Sequence, residues 1–102
     1  MRRAVDVERV ALVAPASRIF DFFKGIEGPP FEGPKAIALG DRDEFCDVDE
    51  GERIAAHLGA SLCVVRGADH FFLTGRRRLA EVLAPFVLGE SDTLPKEVEA
   101  RA

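Results

Sequence analysis

Asp43 and His70 are the residues of this chain whose types and setting could do chemistry together. An imidazole near neutrality takes a proton from a hydroxyl only when one ring nitrogen carries a free lone pair. A carboxylate on the other nitrogen fixes both tautomer and orientation. Asp43 lies in the acidic stretch Asp41-Arg42-Asp43-Glu44-Phe45-Cys46-Asp47-Val48-Asp49, and His70 in Gly67-Ala68-Asp69-His70-Phe71-Phe72. The chain between them is long enough for one helix and one strand. Asp69, adjacent to the imidazole, is the alternative acid. Such a pair is the acid and base part of a hydrolytic triad, and a nucleophile is its further requirement. Phe71 and Phe72 either belong to the core, packing the loop against the next helix, or wall an apolar pocket.

The elements that must position the pair follow from the apolar runs. Residues 9–14 are nearly continuously apolar and stop at Pro15, the pattern of a strand buried on both faces. Ser17 suits the cap of a short helix carrying Ile19, Phe20 and Phe23, ended by Gly25 and the Gly- and Pro-rich residues 28–34. A second strand spans residues 35–39 and halts at Gly40. After the acidic stretch, a helix through Ile54, Ala55 and Leu58 opens on Asp49 with Glu52, or equally on Asp47 with Glu50, and closes on Gly59. A third strand spans residues 61–65, and a last helix presents Leu79, Val82, Leu83 and Phe86 on one stripe, with Pro85 bending or fraying its end. Residues 90–102 read as a polar, frayed tail.

Apolar strands alternating with helices predict an α/β fold, a three-stranded parallel sheet covered on both faces. In such sheets functional groups gather at the carboxyl ends of the strands. Asp43 and His70 both fall there, and they can meet if strands two and three are neighbours.

Composition narrows the function classes. A chain of 102 residues holds one domain, and a net charge of −4 argues against nucleic acid as a partner. No run approaches the ~20 apolar residues of a membrane span, and the first residues lack the apolar centre of a secretory signal, so a cytoplasmic protein with no membrane partner is expected. Cys46 and Cys63 lack metal-ligand spacing and read as small apolar fillers. Arg76-Arg77-Arg78 at the start of the last helix reads as a solvated face, and His57 as a surface residue. Neither a glycine-rich phosphate loop nor a metal-ligating cluster is present, so no cofactor and no metal are expected.

Two stretches carry a family resemblance. Residues 35–48, KAIALGDRDEFCDV, resemble the strand and acid loop of α/β-hydrolases: an apolar strand, Gly, two variable residues, Asp, and an apolar residue soon after. Residues 64–87, VVRGADHFFLTGRRRLAEVLAPFV, resemble the last strand, catalytic histidine loop and final helix of small single-domain members, among them dienelactone-hydrolase-like esterases. Upstream, RVALVAPA followed by FDFF is similar to the preceding strand and short helix, so the resemblance runs over residues 7–88. It implies that Asp43 is the catalytic acid and His70 the base of a serine-type hydrolase acting on esters or related acyl bonds. Residues 1–89 would form a partial α/β-hydrolase-like domain and residues 90–102 its polar tail.

The nucleophile of that family has no counterpart here. Ser17, Ser61 and Ser91 are the serines, and none stands in a Gly-x-Ser-x-Gly turn. Cys46, in the acid loop, is a poor substitute. In the family's order the nucleophile elbow and oxyanion hole precede strand one, so the chain reads as the C-terminal portion of a hydrolase, inactive alone. A small-molecule ester substrate is expected only if the nucleophile half is supplied. Strand one would then have an exposed edge, open to a second copy or a partner chain. The competing expectation is a non-catalytic α/β module that binds a protein partner through that edge or through the Phe-rich rim.

Overall fold

The computed structural model describes residues 8–14 and 32–101. The helix expected after Ser17 lies outside them, as does most of the loop that follows it. The described chain runs β1 (Val10–Val13), β2 (Lys35–Gly40), α1 (Val48–Leu58), β3 (Ser61–Arg66), α2 (Arg76–Val87) and β4 (Glu97–Glu99). The four strands form one sheet in the order β1-β2-β3-β4, every neighbouring pair parallel.

The apolar strand pattern produces two cores, one on each sheet face. Along β2, Ile37 and Leu39 point to one side and pack with Cys46, Ile54 and Ala55, so α1 covers that face. Ala36 and Ala38 point to the other and join Cys63, Val65, Phe72, Val82 and Phe86, with α2 as the cover. Alternation across a strand makes this division unavoidable once both faces carry helices. The small Ala36 and Ala38 leave room for Phe86, which is 1% exposed.

Of the two possible openings for α1, the helix uses Asp47: its Oδ1 accepts from the Glu50 N–H at 2.8 Å. Gly59 closes the helix at φ 68°, a left-handed conformation that costs glycine nothing. In α2, Pro85 sits inside the last turn without ending it, and the helix continues to Val87. The Pro85 carbonyl accepts from Glu90 and Ser91, at 2.8 and 3.2 Å. The Arg9 guanidinium also satisfies this helix end, donating to the Phe86 carbonyl at 2.7 Å while stacking over the Phe86 ring. Arg9 thereby ties the start of β1 to the end of α2.

Two expectations need correction. The sheet has four strands rather than three, because residues 97–99 of the supposed tail pair in parallel with β3. Val98 alone turns inward, while Glu97 and Glu99 flank Arg66 at 3.2 and 3.7 Å. Leu94 is also buried, held by its N–H to the Ser61 hydroxyl at 2.8 Å. The second correction concerns β1, which is not buried on both faces. It stands at the sheet edge among the described residues, as expected, but its burial alternates, with Ala11 and Val13 exposed.

Two outcomes follow. Leu94→Ala should cost about 2–4 kcal/mol in denaturant unfolding, as for other buried leucines; a frayed tail would give almost nothing. Burial, reinforced by the Glu97 carboxylate, pushes the Cys63 thiol from 9.0 up to about 11. The unfolded chain therefore releases this proton first, near 9. The stability that the protonated folded thiol contributes is intact below that pH and is lost as pH rises towards 11. Unfolding curves recorded across that interval should show the loss, and Cys63→Ala should remove that part of the slope.

Candidate active site

The site is built where β2 and β3 end side by side. Gly40, the last residue of β2, lies in register with Val65 of β3. A Cβ at Gly40 would sit 2.1 Å from the Ala68 carbonyl oxygen, so only glycine lets the two departing loops touch backbone to backbone. Hydrogen bonds then join them. The Arg42 N–H donates to the Ala68 carbonyl at 3.0 Å, and the Gly67 N–H donates to Asp41 Oδ1 at 2.7 Å.

Within this frame Asp43 turns inward. Its side chain is 0% exposed, so its charge must be met by donors rather than by water. Oδ1 accepts from the N–H groups of Phe45 and Cys46, at 2.7 and 3.0 Å, which wraps the loop around the carboxylate. Oδ2 lies 2.9 Å from His70 Nδ1. An ionised carboxylate only accepts, so Nδ1 carries the ring proton and the neutral ring keeps its lone pair on Nε2. Nε2 has no hydrogen-bond partner among the described residues.

His70 is placed by its own loop. The Asp69 carboxylate accepts from the Leu73 N–H at 3.0 Å, and the Asp69 carbonyl from Phe72 N–H at 3.2 Å. These bonds close a turn whose anchor is Phe72, 4% exposed and held at φ 52°. Asp69, the alternative acid, is thus engaged in shaping the turn, and Asp43 holds the imidazole. The two phenylalanines part company: Phe72 is core, whereas Phe71 is 67% exposed. Phe71 and Phe45 both stand edge-on to the imidazole, with centroids 5.1 and 4.7 Å away. Together with Arg42, Glu44 and Asp69 they line a cleft of about 150 Å³ at His70.

Among the described residues, no candidate nucleophile lies in this cleft. Ser61 opens β3, at the rim opposite His70, and exchanges hydrogen bonds with Leu94. Ser91 bonds to Thr93. Cys46 is fully buried in the core beneath α1. Ser17 lies outside the described residues. Arg76 and Arg77 are solvated as expected, but Arg78 donates to the Glu99 carbonyl at 3.1 Å, joining α2 to β4. Gly40 and Asp41 were expected only as a strand stop and part of an acidic stretch, not as the residues that join the two loops. Their signal was Gly-Asp at a strand end facing a Gly-Ala loop, a pattern that permits close backbone approach.

The chain matches no family model, no curated protein and no solved structure.

Asp43→Asn preserves an acceptor for the loop amides but turns a donor towards Nδ1 if Oδ1 is to remain paired. The exchange-protected ring N–H signal in the proton NMR spectrum should therefore vanish, and the ring nitrogen shifts should report a redistributed proton. Asn at this site should also cost about 1–3 kcal/mol in urea unfolding, the range for disturbing a buried charge-assisted bond.

Proposed function

We propose that this chain carries the orienting acid and the proton-transferring base of a serine-type hydrolase acting on esters or related acyl bonds, with Asp43 as the acid and His70 as the base. The observation that carries the reading is the 2.9 Å contact between a fully buried carboxylate and Nδ1, with Nε2 beside a cleft and without a hydrogen-bond partner among the described residues. The likeness of both loops to those of α/β-hydrolases, in the right order along the chain, supports it.

In this reading Nε2 accepts the proton of an attacking hydroxyl as the new carbon–oxygen bond forms. Asp43 stabilises the resulting imidazolium without taking the proton itself. The imidazolium then returns the proton to the departing alkoxide as the old ester bond breaks. A second attack, by water, releases the acyl group through the same transfers. The hydroxyl comes from a strand-to-helix turn of the Gly-x-Ser-x-Gly kind, which the reading requires from chain other than the described residues.

A second reading is favoured by the exposure of Phe71 and Leu73, 67% and 76%, in the loop that leaves β3. Here the chain is a non-catalytic module whose apolar rim binds a protein. That reading makes no demand on the bond between Asp43 and His70.

The separating experiment reads the gene upstream of the Met1 codon for an in-frame Gly-x-Ser-x-Gly and expresses the chain with that segment attached. The extended protein should hydrolyse p-nitrophenyl esters. Asp43→Asn should lower the rate about 10⁴-fold, and His70→Ala at least as much. Residues 1–102 alone should show no turnover above buffer. Hydrolysis by the extended protein that survives His70→Ala would contradict the assignment, and an in-frame stop directly upstream would favour the binding module.

A further inference from the structure

A second cleft adjoins the first. It measures about 370 Å³ and is lined by Arg42, Arg66, Gly67, Thr74, Glu99, Ala100 and Arg101. That volume falls within the ~300–1,000 Å³ of small-molecule sites, whereas the depression at His70 is too small to enclose a whole ligand. Its charged lining is three guanidinium groups and one carboxylate, in a chain whose net charge is −4.

The carboxylate is already occupied. Glu99 Oε1 lies 3.7 Å from Arg66 Nε, and Glu97 meets the same guanidinium at 3.2 Å. Arg66 is therefore neutralised by the β4 carboxylates on either side of Val98. Arg42 and Arg101 have no ion pair and no side-chain hydrogen bond among the described residues. Two like-charged guanidinium forks on one concave surface repel each other, and an anion between them removes that repulsion while accepting paired N–H bonds from each.

We infer that this cleft binds the phosphate or carboxylate group of a small molecule through Arg42 and Arg101. The inference does not depend on His70 being catalytic. Arg42 lines both clefts, so an anionic group held here lies beside the imidazole.

The test is a titration of the chain with inorganic phosphate and, separately, with acetate at constant ionic strength, followed by amide NMR. Saturable shifts are expected at Gly67, Thr74 and Ala100. The double variant Arg42→Gln/Arg101→Gln should weaken binding by about tenfold or more. Arg66 is left intact because it holds β4. The variant's remaining amide spectrum serves as the control for folding. Binding should weaken as salt is raised and should persist in His70→Ala. Shifts that fail to saturate for both anions, or that the double variant leaves unchanged, would overturn the inference.

Discussion

A carboxylate with no exposed surface imposes conditions on everything around it. Desolvation of the Asp43 charge costs several kcal/mol unless donors replace water on both oxygens. Two of those donors are amides of its own loop, and the third is an imidazole from another loop. The first two cannot reach Oδ1 unless the loop curls tightly after Gly40, and the third cannot reach Oδ2 unless β3 lies beside β2. The site and the sheet are therefore one construction. As a staple alone the pair is a poor choice, since packed hydrocarbon in the same place is commonly as stabilising as a buried ionic contact or more so. What the pair supplies, and hydrocarbon does not, is an imidazole of fixed tautomer and direction.

Parallel pairing is what brings the two loops together. In a parallel sheet both strands end on the same rim, so the chain leaving Gly40 and the chain leaving Arg66 start as neighbours. The missing Cβ of Gly40 lets them close to contact, and the bonds from Gly67 to Asp41 and from Arg42 to Ala68 hold that contact. Neither loop has a wide choice of conformation once these are made. The two cores beneath the rim do the rest, because α1 and α2 fix β2 and β3 from opposite faces.

How much of this was legible in the sequence depended on whether the deciding contact was local. The inner strands and both helices announced themselves through apolar runs and caps, and the chemistry of Asp43 and His70 through residue type. The choice between Asp43 and Asp69 was not legible, because it turns on which carboxylate the Leu73 amide claims. Nor was the contrast between Phe71 and Phe72, adjacent and identical: the left-handed backbone at Phe72 sends one ring into the core and leaves the other at the surface. The β4 pattern, one valine between two glutamates, is too short for alternation to stand out, and its partner β3 is distant along the chain. The edge position of β1 was expected, but its half-exposed face was not, because a run of almost unbroken apolar residues does not reveal which face is left uncovered.

Charge behaves in the same way. A net charge of −4 argues against a polyanion spread over the surface, which samples the average. It says little about a small ligand, which samples a few ångströms. At the rim, Glu97 and Glu99 are drawn to Arg66 by the register of β4, and that commitment of negative charge leaves Arg42 and Arg101 without an ion pair among the described residues. The short terminal strand thus does two things with one set of contacts. It covers the open side of β3, and it sets the electrostatic character of the cleft next to His70. An acidic chain can in this way present a locally cationic surface beside the imidazole, and no property averaged over the whole sequence would reveal it.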